Sequence, residues 1–171
     1  MSKKAENLNF VVYKTSLGWM GMVGSPKGLA KVILPLKSKE AVLDQIISCG
    51  GKPENNDDSC FIDLTDRMRR YFTGESVDFA DKLDLSGTTR FQRNVWRTVR
   101  HIPRGQTRSY GWVAKQLDLP GAARAVGQAL GKNPVPIVIP CHRVVSSDGK
   151  LGGFGGGVEM KKFLLQLEKS I

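Results

Sequence analysis

Long hydrophobic runs are missing from this chain. Segments such as Ile137-Val138-Ile139 fall far short of the ~20 apolar residues a membrane-spanning helix needs, so no membrane partner is expected. The start, Met1-Ser2-Lys3-Lys4-Ala5-Glu6, has no apolar region after its lysines, which argues against a secretory leader. Histidine and cysteine are scarce as well, at 2 and 3 residues. His101, His142, Cys49, Cys60 and Cys141 are too few and too scattered for a structural zinc site, and no metal is expected. Cys49 and Cys60 flank a polar loop and could pair, but intracellular disulfides are uncommon, so two free thiols are expected. What remains is a chain of 171 residues, 40% hydrophobic, large enough for one ordinary domain or two small ones. Its expected place is the cytoplasm, or a nucleus where there is one.

Acidic residues are scarce in one half only. Residues 1–84 carry 12 Lys plus Arg against 12 Asp plus Glu, whereas residues 85–171 carry 14 against 4, so the whole formal charge of +10 lies in the second half. A solvated basic surface would account for this, but such lopsidedness fits a polyanion partner better than a uniform solubility charge would.

In the first half, residues 8–15, 19–23 and 29–34 are β-prone runs separated by Leu17-Gly18 and Ser25-Pro26-Lys27-Gly28, the pattern of an antiparallel meander. Residues 39–48 place Val42, Leu43, Ile46 and Ile47 on one helical face. Residues 49–59 read as a loop, and residues 61–72 carry Leu64, Met68, Tyr71 and Phe72 near helical spacing before Thr73-Gly74. A boundary near Leu85 divides a supporting domain, residues 1–85, from a second domain, residues 86–171. There Thr88 or Thr89 caps a helix with an apolar stripe of Phe91, Val95, Val99 and Ile102, while Arg93, Arg97, Arg100 and Arg104 recur along another side. Ser109 caps a helix over residues 110–117, with Val113, Ala114 and Leu117 inward. Asp118-Leu119-Pro120-Gly121 makes a tight turn, and residues 122–130 form a second helix, together a helix-turn-helix. That second helix offers Ala122, Ala123, Ala125, Gly127 and Ala129, with Arg124 as its one charge. Small residues plus a cationic wedge suit a groove, and they equally suit close packing in a core. The fold class expected is α+β: a small N-terminal antiparallel sheet with helices, then a mostly helical C-terminal domain with a winged-helix-like helix-turn-helix.

The chemistry concentrates in Ile139-Pro140-Cys141-His142-Arg143-Val144. In isolation Cys141 reads equally as a small buried hydrophobe or as a nucleophile. His142 and Arg143 favour the second, because a thiol attacks as thiolate and basic neighbours promote that form. Pro134, Pro136 and Pro140 suggest a constrained, partly extended segment that preorganises the cysteine. Gly152-Gly153-Phe154-Gly155-Gly156-Gly157 lacks the context of a phosphate-binding loop and reads as a flexible flap over a flat substrate. Residues 158–169 form a terminal helix burying Phe163, Leu164 and Leu167, with Glu168 near its end.

Across Thr89-Arg90-Phe91-Gln92, Val95-Trp96, Ile102-Pro103-Arg104-Gly105, Ser109-Tyr110, Ala123-Arg124-Ala125-Val126-Gly127, Asn133-Pro134, the Cys141 stretch, Gly152-Gly153-Phe154 and Leu164-Leu165, the second half resembles the O6-alkylguanine-DNA alkyltransferases. This family is also called methylated-DNA–protein-cysteine methyltransferases. The resemblance covers about half the chain; residues 1–88 match the family's variable first domain only in size and sheet-then-helix order. It implies a DNA repair protein that transfers the alkyl group of O6-alkylguanine in double-stranded DNA, with O4-alkylthymine as a second candidate, to its own Cys141. The reaction would follow base flipping and would be irreversible, one turnover per molecule, with no cofactor and a monomeric protein. Among catalytic residues it implies Cys141 as nucleophile, His142 as base through a water, Glu168 holding the imidazole, Tyr110 as proton donor to the leaving guanine, and Asn133 linking the second helix to the active-site segment. Arg124 would fill the gap left by the flipped nucleotide, with Ser109, Tyr110, Ala123, Ala125 and Gly127 on the DNA-binding surface. Val144, Phe154 and Gly155 would line the base pocket, Phe154 standing where the family often has Tyr. Arg143 is left with structural pairing alone. A cysteine peptidase or acyltransferase, a lesion sensor that binds without repair, and a helix-turn-helix regulator are the alternatives. The first lacks a recognisable oxyanion hole, the second lacks the cysteine that is present here, and the third would need a better base-reading helix.

Overall fold

The computed structural model describes residues 7–171; the leader reading concerns residues 1–6, which lie outside the described residues. The chain divides between Asp84 and Leu85 into two compact units.

In the first unit, alternation of apolar residues with turn residues produces the expected meander: β1 (Asn9–Thr15), β2 (Gly18–Ser25) and β3 (Gly28–Leu36), antiparallel and in that order. Helix α1 (Lys39–Ser48) starts where Ser38 accepts from Ala41 N at 3.2 Å, and lays Val42 and Ile46 against Phe10, Val23 and Ile33 of the sheet. Gly21 makes this approach possible, since a Cβ there would fall 2.6 Å from Val42 Cγ1. The loop read over residues 49–59 is partly ordered as single 3-10 turns at Pro53–Asn55 and Asp58–Phe61. Helix α2 (Ile62–Phe72) buries Leu64, Met68, Tyr71 and Phe72, the face its spacing predicts. Cys49 and Cys60 are exposed free thiols, as expected.

The second unit opens with α3 (Arg90–Arg100). Thr89 accepts from Gln92 N at 3.1 Å while Gln92 Oε1 accepts from Thr89 N at 2.9 Å, a reciprocal cap that fixes where the helix begins. Its buried face is Val95, Trp96 and Val99; Phe91 is only half-buried, and the Trp96 indole donates to Ala129 O at 3.0 Å. The arginine stripe does not survive as one surface. Arg93 donates to the Thr88 carbonyl, and Arg104, beyond the helix end, donates to Leu167 O at 3.0 Å.

Strand β4 (Arg108–Ser109) pairs in parallel with β5 (Val144–Val145). Between them lie α4 (Tyr110–Gln116), where Ser109 accepts from Trp112 N at 3.0 Å, and α5 (Ala123–Gly131). Asp118 at φ 57° and Gly121 at φ 95° make the turn between the helices. Helix α5 buries Val126, Ala129 and Leu130 and exposes Arg124 and Ala125, so its small residues divide between core and surface. The last helix, α6 (Val158–Leu167), differs from expectation: Lys161, Leu164 and Leu165 are buried, while Phe163 and Leu167 are half-buried.

Candidate active site

Pro134, Pro136 and Pro140 remove three backbone donors between α5 and β5, so this segment cannot pair as a strand. Instead of extending, residues 135–139 close into a turn in which Ile139 N donates to Val135 O at 2.9 Å. Ile137 sits at φ 75°, a left-handed conformation that a β-branched residue adopts only when its surroundings impose it. Cys141–Arg143 then forms a single 3-10 turn with Cys141 and His142 buried.

Asn133, two residues beyond α5, connects this turn to the helix-turn-helix. Its Nδ2 donates to Ile139 O at 2.9 Å and to Cys141 Sγ at 3.1 Å, and its Oδ1 accepts from Val135 N at 2.9 Å. Burial pushes the Cys141 thiol up; the Asn133 bond and the Lys161 charge oppose this without overcoming it. The resting sulfur is therefore a thiol. The expectation that basic neighbours favour the thiolate is corrected here, because desolvation of a buried sulfur outweighs the Asn133 and backbone hydrogen bonds and a nearby ammonium.

Behind the cysteine is a charged network. His142 Nε2 lies 2.9 Å from Glu168 Oε1, with both side chains fully buried. Arg143 donates through Nε to Glu168 Oε2 at 2.9 Å, through Nη2 to Oε1 at 2.8 Å and through Nη1 to Ile102 O at 2.7 Å. Burial alone would raise the Glu168 carboxyl, but the bonds from His142 and Arg143 hold it well below the usual carboxylate range. Burial pulls His142 down more than Glu168 lifts it, so the imidazole rests neutral. An acceptor-only carboxylate at Nε2 requires Nε2–H, which makes Nδ1 the basic nitrogen. Arg143 thus has a definite task, holding Glu168 ionised and in place.

Tyr110 begins α4 with its ring 3.7 Å from where a Cβ on Gly127 would stand. Burial, and then the neighbouring Cys141, raise its hydroxyl above the ordinary tyrosine value, so it keeps its proton. Gly152 is at φ 73°, and a Cβ there would be 2.6 Å from Tyr110 Oη. Gly152→Ala is expected to displace Tyr110 and, on the proton-donor role that the family resemblance implies for it, to slow the implied alkyl transfer ~100-fold. Single-turnover kinetics beside a melting curve would check this; an unchanged rate would show that Tyr110 has no part in the chemistry.

One cavity of about 620 Å³ brings together Cys141, Tyr110, Ala123, Arg124, Gly127, Phe154 and Gly155. Among the described residues, Ser109, Ala125 and Val144 stand outside its wall. Ser109 is a helix cap, Ala125 is exposed on α5, and Val144 is buried with its carbonyl accepting from Lys161 Nζ at 2.6 Å. Gln128 and Ser146, which the sequence did not suggest, also line it. A second cavity, about 640 Å³, lies in the first unit, where Arg67 is already engaged by Asp63 and Asp81.

Residues 90–170 match the family described as the DNA-binding domain of 6-O-methylguanine DNA methyltransferase. A methylated-DNA–protein-cysteine methyltransferase from Methanosarcina acetivorans is 38% identical over 162 residues, covering 94% of this chain and 98% of the relative. The chain belongs to the methylated-DNA–protein-cysteine methyltransferase family. A family member from Mycobacterium tuberculosis is 52% identical over 114 residues, 67% of this chain and 68% of its own. Among solved structures, Mycobacterium tuberculosis OGT in complex with DNA superposes with a TM-score of 0.78 at 39% identity, covering 95% of this chain and 93% of that one. The O6-methylguanine-DNA methyltransferase of Pyrococcus kodakaraensis gives 0.72 at 28% identity, covering 93% and 98%. The family resemblance read from the sequence and the α+β class both hold.

Proposed function

We propose that this protein repairs duplex DNA by moving the alkyl group of O6-alkylguanine onto Cys141. The observation that carries the reading is the single cavity holding a thiol, a protonated tyrosine and an exposed arginine together. Helix α5 enters a groove with its small outer residues, and Arg124 takes the place of the extruded nucleotide, since the target carbon is out of reach in a stacked duplex. His142 Nδ1 draws the thiol proton through a water as sulfur attacks the alkyl carbon. The S–C bond forms, the C–O bond breaks, and the electron pair passes to guanine, where the Tyr110 proton meets the developing charge. In balance, the thiol hydrogen is exchanged for the alkyl group. A thioether has no good leaving group, so each molecule acts once. The division of labour is a supporting domain over residues 1–85 and a DNA-binding, alkyl-transfer domain over residues 86–171, acting as a monomer in the cytoplasm, or in a nucleus where there is one.

The test is incubation with a duplex carrying O6-methylguanine, followed by intact mass. One methyl per protein supports the reading; DNA binding with no mass gain would make the protein a lesion sensor. Arg124→Ala should slow repair in duplex ~30-fold, the equivalent of about 2 kcal/mol of lost support for the flipped state, and leave transfer from free O6-benzylguanine unchanged. Equal loss on both substrates would assign Arg124 to the fold.

A further inference from the structure

Lys161 is a lysine with 0% exposure, on the α6 face that also carries Leu164, Leu165 and Glu168. Burying an ammonium is costly, and a methionine would fill the same volume without that cost, so the charge calls for a function of its own. The contacts indicate one. Nζ donates to Val144 O at 2.6 Å and to Gly153 O at 3.3 Å, and lies 5.8 Å from the centre of the Tyr110 ring. Val144 is the residue at which the chain leaves the Cys141 turn. Gly153 lies in residues 151–157, the glycine-rich flap, which forms neither helix nor strand and contributes Gly152 to Gly155 to the cavity wall. The Cys141 thiol, the His142 imidazole and the Tyr110 hydroxyl are the titratable groups around the ammonium. Burial draws the pKa of Lys161 down to about 8, with Cys141 opposing, which leaves the group predominantly charged at neutral pH.

We propose that Lys161 is a positioning residue for alkyl transfer, whose ammonium clips the flap at Gly153 to the backbone at Val144 beneath Tyr110 and so holds the cavity wall against the base. The inference rests on the alkyl-transfer reading of this cavity. It is distinct from the roles of Cys141, His142 and Tyr110, because Lys161 touches only backbone carbonyls and a ring face. A flap of glycines has little order of its own, and a reacting group misplaced by an ångström loses about 100-fold in rate.

The experiment compares the full-length protein with Lys161→Met and Lys161→Gln. Amide exchange by mass spectrometry should be ~10-fold or more faster across residues 151–157 in both variants, with α6 and the core protected as before. The maximal single-turnover rate should fall ~100-fold on the O6-methylguanine duplex and on free O6-benzylguanine alike, with duplex affinity and melting temperature retained. Unchanged flap exchange in a folded variant, or an unchanged maximal rate, overturns the proposal. Failure of both variants to fold also overturns it, in favour of a purely structural lysine. A wild type that takes up no alkyl group defeats the alkyl-transfer reading, while the exchange measurement still decides the clip.

Discussion

Cys141→Ala is expected to take up no alkyl group from an O6-methylguanine duplex while binding that duplex as the wild type does. The loss is complete because the only other nucleophilic candidate in the cavity wall besides Tyr110 is Ser146, an alcohol that is far harder to deprotonate than a thiol. Binding survives because the turn does not depend on the sulfur: the Asn133 amide still holds Ile139 O, and Ile139 N still holds Val135 O. Removing one buried sulfur costs about 1 kcal/mol, too little to unfold a domain of this size. Peptide mapping of the wild-type product should place the alkyl group at residue 141 and leave Cys49 and Cys60 unmodified, although both are exposed. Uptake by Cys141→Ala, or mapping to another residue, would defeat the assignment. The raised pKa of the thiol adds a further expectation about selectivity. A sulfur that rests protonated reacts slowly with simple alkylating agents, and becomes reactive only where a substrate in the cavity lets His142 take its proton in the same step.

Local signals were strong wherever a side chain acts on its own neighbourhood. Thr89 and Ser109 announce their helices because a cap is a contact across three residues, and the sheet of the first unit follows from alternation and turn glycines. The cavity was legible for a different reason. The motifs that carry the family resemblance name Cys141, Tyr110, Arg124 and the Phe154 position together without any knowledge of distance, and the cavity brings all four together. What escaped was whatever depends on tertiary placement. Nothing in the spacing of Arg104 shows that its guanidinium reaches Leu167 O, so the arginines looked like one surface stripe. The proline segment looked extended because each proline excludes helix and central strand alike; the turn through Ile137 is chosen by contacts from elsewhere. Lys161 had a signal that a charged residue discourages one from following: Lys161, Leu164, Leu165 and Glu168 fall at i, i+3, i+4 and i+7, the inward face of α6. Treating that pattern as apolar throughout put Phe163 and Leu167 in the core instead.

Glu168→Ala should produce the largest combined loss. The substitution leaves the His142 Nε2–H and two Arg143 donors facing a buried space with no acceptor, and breaking such a network from one side costs about 3–5 kcal/mol. Transfer should fall ~10²–10⁴-fold in the surviving folded protein, because the imidazole loses the group that fixes its tautomer. The pH dependence separates the two partners. The folded Glu168 carboxyl titrates below its unfolded value of ~4.3, so its stabilisation is complete above that value and is lost as pH falls beneath it. The folded His142 also titrates below its unfolded value of ~6.5, so unfolding takes up a proton on the acid side and stability already declines as pH drops through that value. Urea midpoints followed from neutral pH down to about pH 3 should therefore show two successive acid losses in the wild type, with the lower one reduced in Glu168→Ala to what the other carboxylates, such as Asp57 and Asp148, contribute. Glu168→Gln, with its amide oxygen at the Oε1 position, keeps the acceptor for His142 Nε2–H and Arg143 Nη2 but turns an amide donor against Arg143 Nε. It should recover part of the stability at neutral pH and little of the transfer rate, since a neutral amide neither balances the buried Arg143 guanidinium nor supports positive charge developing on His142. A variant as stable and as fast as the wild type would mean that the buried network serves neither the fold nor the base.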